Sequence, residues 1–180
     1  DSSEDAESED IEIAKQNPLF SKLRVSQNQR SAVLGVAKIS DIEEVNKYLS
    51  NEKARASLSN QQRFVEFKWG KPAKGSDEVE LYAIKGNPKN QPQLSGSVIV
   101  DAKQEYTQTG EAVVSMKMNG RGSRIWEEMT GKAFKNQSQI AIVLDNTVYS
   151  APGVTTGPIS GGNSQISGDF TITEAKDLAN

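Results

Sequence analysis

Two stretches of the chain alternate apolar and polar side chains, a pattern typical of β-strands with one buried face. They are RFVEFKW at residues 63–69 and EAVVSMKM at residues 111–118. Since successive side chains of a strand point to opposite faces, each stretch gathers apolar side chains on one face. These are Val65, Phe67 and Trp69 in the first stretch, and Val114, Met116 and Met118 in the second. The sequence therefore predicts strands that turn one face towards a core.

The rest of the chain mixes further strands with helices. Strands are predicted at 32–38, 79–85, 97–106, 140–144 and 147–151, with a short one near 165–168. Helices are predicted at 11–23, where Pro18 interrupts the helix, at 40–58, at 119–135, and at the end of the chain from Thr171. Because these elements do not follow strict βαβ alternation, we expect an α+β fold, with a largely antiparallel sheet packed against two or three helices in one or two lobes.

The helix predictions depend on side-chain spacing. Ser40 and Glu43 have the spacing of a capping box, as do Thr171 and Glu174. In the helix that follows Ser40, three apolar side chains fall on one face: Ile42, Val45 and Leu49. In the helix at 119–135 the apolar face comprises Ile125, Trp126, Met129, Ala133 and Phe134, and Gly131 is its weak point.

Residues 140–152, IAIVLDNTVYSAP, combine two apolar runs. The first, at 140–144, is apolar on both pleat faces, which predicts the central strand of a sheet that is covered on each side. Asp145 and Asn146 can turn the chain directly into the second run, which stops at Pro152. Asp145 is thus expected to be part of a tight turn, without a catalytic role.

Charge and composition divide the chain into segments. The first ten residues hold six of the 24 acidic residues and no basic residue, so residues 1–10 are predicted to be a solvated acidic linker. Residues 86–95 are rich in Asn, Pro and Gln and lack periodicity, which suggests a seam between residues 11–93 and 94–180. No apolar run reaches the roughly 18 residues of a membrane span. We expect this sequence to be an excised soluble piece of a longer protein.

The absence of cysteine and histidine removes several kinds of chemistry. Disulfides, thiolate metal sites and cysteine nucleophiles need cysteine, while Ser-His-Asp catalysis and zinc fingers need histidine. An enzyme would have to use paired carboxylates, a lysine or a nucleotide loop. Three acids fall at strand ends or turns, where Asp commonly bonds the local backbone, and no pair stands out: Asp101, Asp145 and Asp169.

Three glycine-containing stretches resemble anion sites only superficially. NGRGSR at 119–124 lacks the third glycine and the distant acid of a dinucleotide fingerprint, and Gly131 with Lys132 does not complete a P-loop. ISGGNSQISG at 159–168 is predicted to be a loop that needs positive φ. Aromatic side chains at core spacing also argue against nucleic-acid binding. The sequence thus predicts a protein that is not an enzyme and has no metal and no cofactor.

The C-terminal half resembles the first large extracytoplasmic domain of the SecD and fused SecDF protein-export family, mainly its head region. The resemblance covers residues 94–180 and rests on an ordered series of motifs: VVSMKMNGRGSRIWEEMT, QIAIVLDNTVYSAP and ISGGNSQISGDFTITEAKDLA. At Gly153 the sequence departs from the family pattern, in which a larger apolar residue is common. The resemblance implies a periplasmic domain of an inner-membrane protein whose transmembrane helices lie outside this sequence.

The same resemblance implies a function in preprotein export driven by the proton-motive force. The expected partners are unfolded preprotein and, through the full-length protein, SecF and SecYEG. The leading hypothesis is a lobe that binds unfolded polypeptide, and the candidate contact residues are Val148, Tyr149, Val154 and Ile159. The second hypothesis is a structural module that docks other translocase subunits without touching substrate. A carboxylate-based hydrolase is a distant third.

Overall fold

The computed structural model describes residues 17–28, 31–60, 62–110 and 112–167. The predictions for the acidic linker, for Asp169 and for the helix from Thr171 lie outside these ranges. The chain divides into two compact units, with one boundary between Lys85 and Gly86. Among the described residues, the N-terminal unit comprises 17–28, 33–60 and 62–85, and the C-terminal unit comprises 31–32, 86–110 and 112–167.

The N-terminal unit contains a four-stranded antiparallel sheet in the order β1-β2-β4-β3. Its strands are β1 (Leu23–Val25), β2 (Val33–Lys38), β3 (Val65–Trp69) and β4 (Glu78–Lys85). Two helices, α1 (Ile42–Leu49) and α2 (Glu52–Ala56), follow β2, and 3₁₀ turns cover Pro18–Ser21 and Ile39–Asp41. The core consists of Leu23, Ala37, Val45 and Leu81, with Phe67 and Trp69 packed against it. Phe67 and Trp69 of the predicted β3 face thus meet the core, although all five residues of the strand are half-buried.

The capping box predicted at Ser40 is absent. Ser40 lies inside the 3₁₀ turn, α1 begins after Asp41, and the Asp41 side chain makes no capping hydrogen bond. The reason is local: the Ile39 amide donates to the Asp77 carbonyl oxygen at 2.8 Å, which fixes the turn before the helix starts.

The C-terminal unit contains a three-stranded antiparallel sheet in the order β5-β6-β9 and a separate hairpin of β7 and β8. A 3₁₀ turn covers Gly96–Val98, and the elements that follow are β5 (Ile99–Tyr106), β6 (Ala112–Met118), α3 (Gly120–Asn136), β7 (Ile142–Leu144), β8 (Thr147–Ser150) and β9 (Asn163–Ser167). The core gathers the predicted face of β6 with α3: Val98, Ile99, Ala102, Val114, Met116, Met118, Trp126 and Ile166. The α+β class and the antiparallel pairing are confirmed.

Two sequence predictions for this unit are wrong. Residues 140–144 do not form a central covered strand, because among the described strands β7 pairs with β8 alone and its Val143 side chain is exposed. Only one face of the hairpin meets the core, so Ile140 and Ile142 pack there while Val143 points outward. Phe134 is also exposed, because it lies in the last turn of α3.

Other local predictions are confirmed. Asp145 and Asn146 form the hairpin turn with φ of 48° and 64°, the left-handed pair that a type I′ turn requires. Gly161 and Gly162 have φ of 84° and 75°, so the glycines of the loop before β9 supply positive φ. None of the described helices has the length and apolar character of a membrane span.

Candidate functional site

The segment after the β7-β8 hairpin is fixed at both of its ends. We call residues 153–159 the strap. At its start, Gly153 forms an isolated antiparallel bridge with Gln139, and the Ile140 amide donates to the Pro152 carbonyl oxygen at 3.0 Å. At its end, the Ile159 amide donates to the Thr130 side-chain hydroxyl at 2.9 Å. The strap is therefore held against α3 and the hairpin.

Thr130 is the anchor for the far end of the strap. Its side chain is fully buried in α3, and its hydroxyl donates to the Trp126 carbonyl oxygen at 2.7 Å while it accepts from Ile159. Pro158 of the strap lies against Gly131, where an added methyl group would stand 3.3 Å from Pro158 Cγ. The glycine that looked like a weak point of the helix thus lets the strap lie close to α3.

The main chain of the strap is paired at its start and exposed beyond it. The Gln139–Gly153 bridge, with the Ile140 amide on the Pro152 carbonyl oxygen, directs the Val154 amide towards the Ser138 carbonyl oxygen. Thr155 is exposed, so water can satisfy its main-chain groups.

A groove of about 580 Å³ runs between the strap and the C-terminal end of α3. We call it the strap groove. It is lined by Phe134 and Lys135 of α3, by the residues that lead out of the helix, and by Gly153, Val154 and Thr155. Phe134 leaves 47% of its surface exposed, and among the described residues of the lining Lys135 is the one that carries a charge. This part of the groove thus offers apolar contact with little charge to restrict its ligand.

The helix end that forms one wall of this groove has a defined shape. Gln137 closes α3 in the left-handed region, with φ of 51°, and its amide donates to the carbonyl oxygens of Ala133 and Phe134. The next amide, that of Ser138, also donates to the Ala133 carbonyl oxygen, at 2.9 Å. These bonds turn the chain away from the helix axis and leave Phe134 uncovered.

A second groove, of about 670 Å³, lies on the polar face of the β5-β6-β9 sheet. Glu105 is its centre: its carboxylate accepts from the Ser115 hydroxyl at 2.5 Å, pairs with Lys103 at 3.0 Å and lies 3.5 Å from the Gln165 amide nitrogen. The Ser115 hydroxyl, and then Lys103, lower the pKa of Glu105. The same pairing raises the pKa of Lys103. We call this arrangement the sheet-face network.

Within residues 17–28, 31–60, 62–110 and 112–167, no group of three acidic side chains is placed to hold a metal ion. Asp101 lies on β5 beside the sheet-face network, and Asp145 lies in the exposed hairpin turn. The arrangement supplies hydrogen bonds and apolar surface, which suit binding.

The predicted contact residues fall in different places. Val148 is fully buried in the core and cannot be part of a binding surface, so that assignment is corrected. Tyr149 is half-buried against the core. Ile159 packs there too, at the end of the strap, and Val154 lies in the strap groove. Sequence reasoning missed Phe134, although its place in the last turn of the predicted helix was a signal that it could be exposed.

The structure defines the class of protein as an α+β domain, and its C-terminal unit has two open grooves. The family model described as "SecDF, P1 head subdomain" matches residues 78–180, more than half of the chain. The chain therefore belongs to the SecDF P1 head subdomain family, which confirms the resemblance noted from its motifs.

Individual relatives agree with the family. The protein translocase subunit SecD of Rhodothermus marinus is 36% identical over 165 residues, which cover 90% of this chain and 25% of that protein. The protein translocase subunit SecD of Calditerrivibrio nitroreducens is 46% identical over 87 residues, or 48% of this chain and 16% of that protein. The chain thus spans a quarter or less of the length of these relatives.

One solved structure that is similar to this chain is that of SecDF, described as a membrane component that enhances protein export. It is 21% identical to this chain and covers 94% of it, while the match extends over 66% of that structure, with a TM-score of 0.43.

Proposed function

We propose that this domain binds unfolded segments of preprotein during export, as the periplasmic part of a Sec translocase subunit, and that it is not an enzyme. Membership of the SecDF P1 head subdomain family and the SecD names of the relatives support a place in protein translocation. In the full protein, transmembrane helices would use the proton-motive force, and SecF and SecYEG would be its neighbours.

The observation that carries this proposal is the strap groove. An export factor must bind many sequences, so it benefits from contacts that every polypeptide can make. Val154 offers a half-buried apolar side chain, and Phe134 offers exposed apolar surface in the same groove. Of the lining residues that the structure describes, Lys135 alone is charged, so these residues have few ways to reject a segment by like-charge repulsion.

Binding of an unfolded model polypeptide to the chain of residues 1–180 tests the proposal. The probe is a fluorescently labelled protein that has been reduced and alkylated so that it cannot refold. We expect its fluorescence anisotropy to rise when the chain of residues 1–180 is titrated into it. The same labelled protein in its native form should show no change. Absence of binding by the unfolded form, at concentrations that saturate known polypeptide-binding domains, would contradict the proposal.

The sheet-face network favours a second candidate function, a module that docks another translocase subunit. Glu105, Ser115 and Gln165 join all three strands of the sheet through their side chains, so the polar face is organised before any partner arrives. Such a preorganised polar surface suits one specific partner. If a purified translocase subunit bound the chain while unfolded polypeptide did not, and if substitution of Glu105 weakened that binding, the docking function would be preferred.

A further inference from the structure

We propose that the strap groove prefers segments of unfolded polypeptide in which an acidic residue lies within a few positions of a large apolar residue, and that Lys135 sets this preference. This inference rests on the proposed function and specifies the class of segment that binds best. The groove supplies both partners: the exposed ring of Phe134 for the apolar residue and the ammonium group of Lys135 for the carboxylate.

The two partners are close enough for one segment to reach both. Phe134 and Lys135 are consecutive residues in the last turn of α3, and both line the groove. Consecutive side chains diverge by about 100° around a helix, so the two groups reach different parts of the same cleft. An extended segment advances roughly 3.3 Å per residue, and the stem of a lysine is long and flexible. Two nearby residues of one segment can therefore meet both groups.

The positive charge of Lys135 is available to a ligand. In the described part of the chain no acidic side chain pairs with it, and the helix positions three and four residues earlier hold Lys132 and Gly131. Lys132 is instead bonded to Glu128 at 2.5 Å. Without such a partner among the described residues, Lys135 can bind a carboxylate of the ligand with no ion pair to break.

The end of α3 does not cancel this charge. A helix C-terminus carries roughly half a negative charge, and a lysine in the last turn interacts favourably with it. Here the amides of Gln137 and Ser138 donate to the carbonyl oxygens of Ala133 and Phe134, so part of the negative end is already paired. The full positive charge of Lys135 exceeds what remains, so this wall of the groove attracts a carboxylate.

The rest of the described lining leaves the preference to Lys135. It consists of uncharged residues of the helix end and of the strap. Exposed ion pairs are weak by themselves, so the apolar contact with Phe134 provides most of the affinity and the acid provides the preference. A segment with lysine or arginine in place of the acid brings like charges together and binds more weakly.

The test uses three labelled peptides that share a central leucine, flanked on each side by aspartate, asparagine or lysine. The chain of residues 1–180 is titrated into each at low ionic strength and followed by fluorescence anisotropy. We expect the aspartate peptide to bind about threefold more tightly than the asparagine peptide, and the lysine peptide about threefold more weakly. Added salt should narrow these differences, because it screens exposed charges.

Each other outcome separates the inference from the proposed function. Equal affinity of the three peptides, or tighter binding of the lysine peptide, would overturn the inference and leave the proposed function intact. The same holds if no peptide binds while unfolded polypeptide does. If neither the peptides nor unfolded polypeptide bind, the proposed function itself is contradicted.

Two matched variants of α3 assign the preference to a residue. We expect Lys135→Gln to remove the order of affinities and Lys135→Glu to reverse it. Lys132→Gln is the control, since it removes the same charge from an exposed site on the same helix that does not line the groove. It should keep the order of affinities. Equal effects of Lys135→Gln and Lys132→Gln would overturn the assignment, because the preference would then follow net charge.

Discussion

Among single residues, Gly122 has a packing role that its sequence context concealed. It lies in the first turn of α3, where the Asn119 side chain accepts its amide hydrogen at 2.9 Å. A methyl group added there would stand 2.6 Å from Val98 Cγ2. The glycine that suggested a phosphate loop is therefore required because α3 packs closely on the turn before β5.

Gly122→Ala should lower the free energy of unfolding by about 1–3 kcal/mol, because the clash with Val98 outweighs the better helix propensity of alanine. Urea denaturation monitored by circular dichroism measures this. Gly120→Ala is the control, since a methyl group at Gly120 meets no atom within 4 Å, and it should stabilise by about 0.4–1 kcal/mol. If both variants changed stability in the same direction by the same amount, close packing would not explain Gly122.

Thr130 provides a second test at this scale. Thr130→Val keeps the size of the side chain but leaves the Ile159 amide without its acceptor, so the free energy of unfolding should fall by about 1–3 kcal/mol. Thr130→Ser retains the hydroxyl and should cost only the lost methyl group, about 1 kcal/mol. A valine variant as stable as the wild type would show that Thr130 does not anchor the strap.

Glu105 gives the chain a predicted dependence on pH. Its pKa is lowered in the folded state from an ordinary value of 4.5, first by the Ser115 hydroxyl and then by Lys103. A depressed pKa means that the folded state favours the carboxylate, so the contribution to stability is present above pH 4.5 and is lost as the pH falls through the folded-state pKa.

Glu105→Gln removes this titration. The melting temperature of the variant should therefore fall less steeply than that of the wild type as the pH is lowered from neutrality to below 4.5. Melting curves recorded by circular dichroism across that range check the difference. Parallel curves for the two proteins would contradict a stabilising role for the sheet-face network.

At the scale of elements, the β7-β8 hairpin depends on the left-handed conformation of its turn. Asn146 has φ of 64°, which glycine adopts freely and alanine adopts at a cost of about 1–2 kcal/mol. Both Asn146→Gly and Asn146→Ala remove the same side chain, so the difference between them isolates the backbone. We expect the alanine variant to be less stable by about that amount in urea denaturation. Equal stabilities would mean that the turn relaxes to another conformation.

The elements that could be predicted are those whose signal is local. The strands β3 and β6, the buried face of β6 and the turn residues of the hairpin follow from neighbouring residues alone, and these predictions are confirmed. Residues 140–144 failed because an apolar run does not reveal whether one face or two will be covered. Val148 failed for the same reason: alternation separates it from Tyr149 but does not say which of them faces the core.

At the scale of the whole molecule, the candidate site could not be derived from any one segment. The strap groove exists because Ser138 bonds to α3 while the strap continues past the end of the ladder. At the far end of the strap, the Thr130 hydroxyl on α3 accepts from the Ile159 amide, and Gly131 lets Pro158 lie close to the helix. Of the residues in this region, the sequence predicted only Val154 and Ile159 as contact residues. The other residues of the region lie far apart in the sequence and come together only in the tertiary structure.

The most direct test of the central claim is photo-crosslinking to a preprotein stalled during export, with this domain in its full-length protein. A photoreactive amino acid replaces Val154 or Phe134 in the strap groove, or Tyr106 on β5 as an exposed control. Binding in the strap groove predicts adducts with the preprotein from Val154 and Phe134, and few or none from Tyr106. Adducts of equal yield from all three positions, or none from Val154 and Phe134, would contradict it.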